Sequence, residues 1–162
     1  MGTVPQQLDK GVIMERSGDT EKKRLYVGCG LTDAPKAFTD EVAALKEELK
    51  ADWNVLEFLG ITAGGRGDVY QKDIIENVGS CDAFLAVMDE RSWGLGFETR
   101  DALLNDKPSL MVARTGGRVT RLALDAVVFF PGQLDFKQYD SMVEDVPGIV
   151  REHFQHVLNP EV

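Results

Sequence analysis

Residues 83–88 read Ala-Phe-Leu-Ala-Val-Met, an uninterrupted apolar run that an aspartate bounds on each side. Successive strand residues point to opposite faces of a sheet, so a run without alternation indicates a strand that is buried on both faces. Strands of this kind lie at the centre of parallel sheets, because helices cover both faces of such sheets. The run therefore predicts the central strand of an α/β domain.

On both sides of this run, short apolar segments alternate with segments of helical periodicity. The other predicted strands are Leu25–Val27 with a glycine turn behind it, Val55–Leu59, Ser109–Ala113 and Ala126–Phe130. The predicted helices cover 38–49, an Asp68-capped segment through Val78, 95–104, and a segment that Asp145 and Pro147 open and that continues through Val157. This alternation predicts a doubly wound, five-stranded parallel sheet in a flavodoxin-like or Rossmann-like three-layer α/β/α fold. Ligands of such folds bind beyond the carboxyl ends of the strands.

Length, charge and cysteine content limit the classes of function. The 162 residues fit a single domain, predicted over 24–162, behind a flexible tail over 1–23. A net charge of -9 argues against a nucleic-acid partner, which needs a basic face. The two cysteines form no metal-like cluster, and no apolar run reaches the roughly 20 residues of a membrane span. We expect a cytoplasmic domain that acts on a small molecule without a metal or other cofactor.

The segment directly after the central run carries the most chemistry. Gly94 and Gly96 lie at a predicted helix start, and we expect Glu98 in the first turn of that helix. The glycines allow close backbone approach, and the helix dipole is expected to keep the carboxylate ionised. An ionised carboxylate in a cleft suits attack on an anomeric carbon. The alternative is a glutamate that merely stabilises the helix start.

Residues 94–98 read Gly-Leu-Gly-Phe-Glu and resemble the Gly-x-Gly-(aromatic or Met)-Glu motif of the nucleoside 2-deoxyribosyltransferase family, which includes the related 2'-deoxynucleoside 5'-phosphate N-hydrolases. The resemblance covers most of the chain. It implies that Glu98 is the catalytic nucleophile. It also implies that Tyr26 hydrogen-bonds this nucleophile and that Gly28 and Gly30 make room for the sugar.

The resemblance further gives roles to two aspartates. Asp73 matches an acidic position that contacts the base, so it is the expected base reader and proton donor. Asp82, at the start of the central strand, is expected to be structural. By their surroundings alone, Asp73 would be a surface helical residue and Tyr26 a core aromatic. Their places in the site therefore rest on the resemblance.

Substrate-binding positions follow from the same comparison. Ser92 lies six residues before the glutamate, where the transferases typically place an acid for the 5'-hydroxyl and the nucleotide hydrolases a serine for phosphate. A hydroxyl and the amides of a helix start, here those of Gly94 and Gly96, accept a phosphate. Thr120 and Arg121 lie in a glycine-rich basic loop that resembles the phosphate-contacting loop of the hydrolases. Solvated loop charges are the alternative there.

The implied activity is cleavage of the N-glycosidic bond of a (2'-deoxy)nucleoside. Transfer of the deoxyribosyl group to another base, through a glutamyl-glycosyl intermediate, would place the enzyme in nucleoside salvage. Ser92 favours the alternative of a 5'-monophosphate N-glycoside hydrolase, and Arg100, which departs from the motif, favours a non-catalytic nucleotide-binding sensor. The expected partners are a nucleoside or nucleotide, a free base and further copies of the chain in a homodimer or higher homo-oligomer. Neither nucleic acid nor membrane is expected.

Overall fold

The computed structural model describes residues 21–58 and 65–161. Most of the predicted tail, residues 1–20, lies outside this part of the chain. Leu59, the predicted end of the second strand, also lies outside it. Within the described ranges, no helix combines the length and the apolar character that a membrane crossing needs.

Five parallel strands form one sheet in the order β2-β1-β3-β4-β5. In chain order the strands are β1 (Arg24–Cys29), β2 (Asn54–Leu56), β3 (Ala83–Val87), β4 (Ser109–Arg114) and β5 (Leu134–Tyr139). The helices are α1 (Lys36–Leu49), a π-helix (Tyr70–Val78), α2 (Trp93–Leu104), α3 (Arg121–Phe129), α4 (Met142–His153) and the short α5 (Gln155–Leu158). The order 2-1-3-4-5 is flavodoxin-like, which confirms the predicted fold.

Strand alternation divides the core into two apolar layers. On β1, Leu25 and Val27 pack on the side of α1 and α4, whereas Tyr26 packs on the side of the π-helix and α2. The central strand β3 is completely buried and contributes to both layers, as its uninterrupted apolar run predicts. Helices therefore cover both faces of the sheet. Tyr26 and Gly28, two residues apart, share the α2 side.

The prediction of a fifth strand over 126–130 is wrong. These residues mostly belong to α3, and the fifth strand is Leu134–Tyr139. The Thr120 hydroxyl accepts a hydrogen bond from the Ala123 amide at 3.3 Å and caps the helix. A short apolar run is ambiguous between helix and strand, and this cap favours the helix.

The last helical segment also begins elsewhere than predicted. The helix α4 starts at Met142 and contains Pro147 in its interior. Asp145 lies in its first turn and accepts the backbone amides of Asp140 and Ser141 at 2.9 and 2.8 Å. This reach back to the preceding residues fixes the helix start before the proline. Asp68 makes no cap either: the π-helix follows Val69 without a side-chain hydrogen bond at its start.

The buried face of α1 supplies the first prediction. Leu45 is completely buried in the layer between α1 and the sheet, whereas Glu48 of the same helix is exposed. Leu45→Ala is expected to lower the free energy of unfolding by about 2–5 kcal/mol, because it removes packed volume that the core does not refill. Glu48→Ala is expected to change it by less than about 0.5 kcal/mol. Urea unfolding followed by circular dichroism measures both, and equal effects would contradict this packing.

Candidate active site

Tyr26 and Gly28 of β1 face the helix α2, which carries the candidate nucleophile. The helix begins at Trp93, after Ser92, whose hydroxyl accepts the Leu95 amide at 3.2 Å. Glu98 therefore lies in the second turn, not in the first turn as predicted. It shares the buried side of α2 with Leu95, and only 6% of its surface is exposed. A carboxyl group thus occupies an inward position that an apolar residue would normally take.

The two carboxyl oxygens of Glu98 have different surroundings. The Tyr26 hydroxyl donates a hydrogen bond to Glu98 Oε1 at 2.8 Å, as the family resemblance implied. Glu98 Oε2 is buried and has no hydrogen-bond partner among the described residues. A Cβ atom added to Gly28 would lie 2.6 Å from Oε2 and 2.9 Å from Leu95 Cδ1. Only glycine leaves room for this carboxylate beneath β1.

Burial, and not the helix dipole, dominates the ionisation of Glu98. Desolvation raises the pKa of Glu98 from 4.5 to about 7. The hydrogen bond from Tyr26 lowers this pKa, the charge of Asp73 raises it, and the charge of Lys46 lowers it. The expectation that the dipole keeps Glu98 fully ionised is therefore wrong. Burial likewise raises the pKa of Tyr26, and the Glu98 charge adds to that effect, so the phenol keeps its proton.

Asp73 lies inside the protein, not on its surface. Its exposed fraction is 1%, and it projects from the π-helix together with Ile74 and Val78. The Asn77 side-chain amide donates to Asp73 Oδ1 at 3.4 Å and to the Glu57 carbonyl at 3.0 Å. The charge of Asp73 raises the pKa of both Tyr26 and Glu98. Extended π-helical segments are rare and are frequent at functional sites.

Asp82 has the structural role that the sequence predicts. Its carboxylate accepts the Arg24 amide at 2.7 Å, and its own amide donates to the Arg24 carbonyl at 2.8 Å. These contacts fix the entry of β3 beside β1. Asp82 therefore aligns the two strands that frame the site.

Two clefts open along the carboxyl edge of the sheet, and both are lined by Arg91 and Arg118. The first, here called the inner cleft, has a volume of about 410 Å³ and is also lined by Gly30, Asp33, Asp89 and Glu90. The second, here called the outer cleft, has a volume of about 400 Å³ and is also lined by Gly117, Thr120, Phe136 and Gln138. Neither arginine was among the predicted site residues. Their loops were singled out in the sequence, but spacing alone does not show which loop side chains line a cleft.

Gly30 joins the inner cleft to the segment before α2. A Cβ atom at Gly30 would meet the Glu90 carbonyl at 2.9 Å and Ser92 Cβ at 3.1 Å. The chain after β1 therefore passes against this segment at a distance that excludes any side chain. As a result, Ser92 lies next to the inner cleft, although it does not form part of the lining described above.

A network of hydrogen bonds joins the strand ends beside these clefts. Asp89, which lines the inner cleft at the start of the β3–α2 loop, accepts the Tyr139 hydroxyl at 2.7 Å and the Arg114 amide at 3.0 Å. The Arg114 guanidinium in turn pairs with Glu41 of α1 at 2.6 Å. The ends of β3, β4 and β5 are thereby tied to one carboxylate. The sequence pattern gave no signal for this role of Asp89.

Several predicted contacts lie away from the clefts. Arg121 is 92% exposed in its side chain and pairs with Asp125 of its own helix at 3.7 Å. Arg100 is also exposed and lies 4.0 Å from Asp101. A Cβ atom at Gly96 would meet nothing within 4 Å, and one at Gly94 would meet only the Ser92 hydroxyl at 3.5 Å. The two α2 glycines are thus not required for packing within the described chain.

Metal-binding side chains were also sought in the two described ranges. Within them, no group of three or more His, Cys, Asp or Glu residues is arranged to hold a metal ion. The residues that the structure brings together around Glu98 are a phenol, a second carboxyl group and glycine backbone.

No family model matches the chain, and no curated protein matches its sequence. Among solved structures, the chain is similar to the CMP N-glycosidase BcmB of Clostridium botulinum, with a TM-score of 0.57 and 16% sequence identity. The match covers 79% of this chain and 99% of that chain. At this level of identity, the likeness shows that the two proteins share a fold.

Proposed function

We propose that this protein hydrolyses the N-glycosidic bond of a nucleoside 5'-monophosphate, with Glu98 as the nucleophile. The observation that carries the proposal is the buried Glu98 carboxyl group, whose Oε1 is held by Tyr26 while Oε2 has no hydrogen bond among the described residues. An oriented carboxylate with one uncommitted oxygen suits covalent glycosyl transfer. The fold shared with a CMP N-glycosidase supports the same class of reaction.

In the proposed first step, Glu98 Oε2 forms a bond to C1' of the sugar while the bond from C1' to the base nitrogen breaks. The base leaves with that electron pair and takes up a proton. Asp73 is the proposed donor of this proton, because it is the other buried carboxyl group among the described residues. Water then attacks C1', its proton is released, and Glu98 is regenerated. Tyr26 holds Oε1 throughout, so it positions the nucleophile. If a second base attacks in place of water, the same intermediate gives transfer.

The Ser92 hydroxyl and two arginines support a phosphorylated substrate over a free nucleoside, although three carboxylates also line the inner cleft. Ser92 accepts the Leu95 amide, so its hydroxyl proton remains available to a ligand at the start of α2. Arg91 is its chain neighbour and lines the adjacent cleft with Arg118. Neither arginine makes an ion pair within the described parts of the chain, whose sequence carries a net charge of -9. Unpaired cations in an acidic protein suit an anionic ligand.

Two features motivate the sensor hypothesis, Arg100 and the altered residues after the glutamate, and the structure bears on the first of them. Arg100 suggested a site altered for binding without turnover. Its side chain is 70% exposed beside Asp101, whereas Glu98 lies on the buried side of α2. Arg100 therefore leaves the arrangement of Glu98 and Tyr26 undisturbed.

Glu98→Gln tests the nucleophile. Free base is measured chromatographically from a panel of ribo- and deoxynucleosides and their 5'-monophosphates, each with and without a second base. We expect base release from monophosphates by the wild type, and a loss of about 10³-fold or more in Glu98→Gln, since the amide cannot form the glycosyl intermediate. Glu48→Gln, the same change on exposed α1, is the control.

Binding separates lost chemistry from lost folding in this variant. Glu98→Gln should still gain thermal stability from the monophosphate that the wild type cleaves best. Mass spectrometry of acid-quenched wild-type protein should detect the sugar phosphate on Glu98. Full turnover by Glu98→Gln would overturn the proposal, and exchange products in the presence of a second base would convert it to the transferase reading.

The pH dependence follows from the raised pKa of Glu98. For the wild type, kcat/KM is expected to rise with pH around a midpoint of about 7, because only the ionised carboxylate attacks. Tyr26→Phe removes a hydrogen bond that lowers this pKa, so its midpoint should move to higher pH. Tyr70→Phe, which removes an exposed hydroxyl, is the control. Because the substrate phosphate titrates identically for all three proteins, only the difference between them reports Glu98.

The same ionisation affects stability without any substrate. Glu98 keeps its proton to higher pH in the folded than in the unfolded chain. Its contribution to the free energy of unfolding is therefore fully present below about pH 4.5 and is lost as pH rises through about 7. Glu98→Gln should remove this part of the pH dependence of unfolding. Identical pH profiles of stability for wild type and Glu98→Gln would contradict the raised pKa.

We also propose that a second copy of the chain covers an apolar face formed by α2 and α3. Six large apolar side chains on these helices are exposed by 57% to 92%: Trp93, Phe97, Leu104, Leu122, Val128 and Phe129. Exposed aromatic and large aliphatic side chains of this kind are typical of the apolar centre of a protein–protein interface. The charges beside them pair locally, Arg100 with Asp101 and Arg121 with Asp125. Two chains of like net charge can therefore meet at this face.

Sedimentation velocity tests the association. The wild type is expected to be a dimer or larger at micromolar concentration. Phe129→Asp should shift it towards monomer, because an unpaired charge would be buried, and should leave the monomer folded, because this side chain is exposed there. Gln155→Asp, exposed on α5, is the control. A monomeric wild type would refute this interface and leave the chemistry at Glu98 unaffected.

A further inference from the structure

Resting on the proposed function, we infer that the outer cleft binds a second phosphate and that nucleoside 5'-diphosphates are better substrates than monophosphates. The inference concerns the cleft lined by Arg91, Arg118, Thr120, Phe136 and Gln138. The reaction at C1' is unchanged: the base leaves, water is added, and the other product is the sugar 5'-diphosphate.

The two clefts differ in charge although they share both arginines. In the inner cleft, the carboxylates of Asp33, Asp89 and Glu90 offset Arg91 and Arg118. The outer cleft has the same two cations and no carboxylate among its lining residues. An anion is therefore held more favourably in the outer cleft, because the same cations act there with less repulsion from lining groups.

The position of the clefts relative to Glu98 fits a chain of two phosphates. Gly28 is the position where an added Cβ atom would meet Glu98, and Gly30, about 6.6 Å further along an extended chain, lines the inner cleft and is the position where such an atom would meet Ser92. That step is comparable with the reach across a ribose from C1' to its 5'-phosphate. The first phosphate then lies near Ser92 and Arg91. A group attached to it continues past the shared arginines into the outer cleft.

The backbone holds Arg118 at this junction. Gly116 has a φ of +78°, a conformation that side chains rarely adopt, and the Gly117 amide donates to the Arg114 carbonyl at 2.8 Å. A Cβ atom at Gly117 would lie 2.8 Å from that carbonyl oxygen. This tight turn presents the following arginine to both clefts. Thr120 adds a hydroxyl whose oxygen caps α3, so its proton remains available to a phosphate oxygen.

The test compares kcat/KM for nucleoside 5'-mono- and diphosphates of the same base. For the wild type, the ratio of diphosphate to monophosphate is expected to be about 10 or more, since one charge-assisted contact changes affinity by roughly that factor. Arg118→Gln should bring this ratio close to 1. Gln138→Glu, which adds a carboxylate to the outer cleft alone, should lower the ratio below that of the wild type. Arg151→Gln, the same loss of charge on α4, should keep the wild-type ratio.

Base release from monophosphates with a ratio near 1 in the wild type and in Gln138→Glu would overturn the outer-cleft inference and leave the proposed function intact. If neither substrate releases base, the proposed function fails. Calorimetric titration of the wild type with the two nucleotides then decides the inference: tighter binding of the diphosphate, weakened by Gln138→Glu, supports it, and equal affinity overturns it.

Discussion

The burial of the Glu98 carboxyl group beneath β1 is the constraint on which the site depends. The cost of removing this group from water is visible in its pKa of about 7. Tyr26 offsets part of that cost with a hydrogen bond, and Gly28 removes the Cβ atom that would collide with the other oxygen. All three residues are positioned by regular structure, through strand alternation on β1 and the inward side of α2. The geometry is therefore held by the core itself and not by a loop.

The parallel order of the strands explains why the remaining candidate residues gather at one edge. The loops that follow β1, β3 and β4 leave the sheet at the same end, and β3 lies between the other two. Asp89 ties this edge together through Tyr139 and the Arg114 backbone. Arg114 is thus committed to the scaffold, which leaves Arg91 and Arg118 as the cations that line the clefts. An arginine that pairs within the scaffold differs from one that lines a cleft only in its contacts in the folded chain. The spacing of arginines in the sequence does not show these contacts.

Much of the fold and part of the site could be predicted from the sequence. The apolar run of β3 indicated a central parallel strand, and the order of alternating elements indicated the three-layer architecture, because both depend on local periodicity. The predicted position of the fifth strand was wrong. An apolar segment such as residues 126–130 fits either a helix or a strand, and only the capping residue decides between them. The pairing of Tyr26 with Glu98 was inferred from a family resemblance, and the hydrogen bond confirms that contact but not its catalytic use.

The spacing of residues along α2 indicates that Glu98 is buried. Leu95, Glu98 and Ala102 are spaced three and four residues apart, which places all three on one side of a helix. A glutamate in that pattern occupies a core position, so its burial and its raised pKa follow from periodicity alone. Assigning Glu98 to the first turn led instead to the expectation of a dipole-stabilised anion. The π-helix around Asp73 had no such signal, because its wider spacing appears only once the backbone is seen.

The raised pKa of Glu98 connects the proposed nucleophile to the clefts that Arg91 and Arg118 line. With a pKa of about 7, Glu98 is a mixture of the acid and the carboxylate near neutral pH. A bound phosphate brings further negative charge towards this group and by itself would favour the protonated, unreactive form. Under the proposed function, Arg91 and Arg118 of the clefts compensate the charge of the phosphate, while the positive charge that develops at C1' favours the carboxylate. In the proposed reaction, Arg91 and Arg118, which make no ion pair within residues 21–58 and 65–161, are thus what makes an anionic substrate compatible with a buried carboxylate nucleophile.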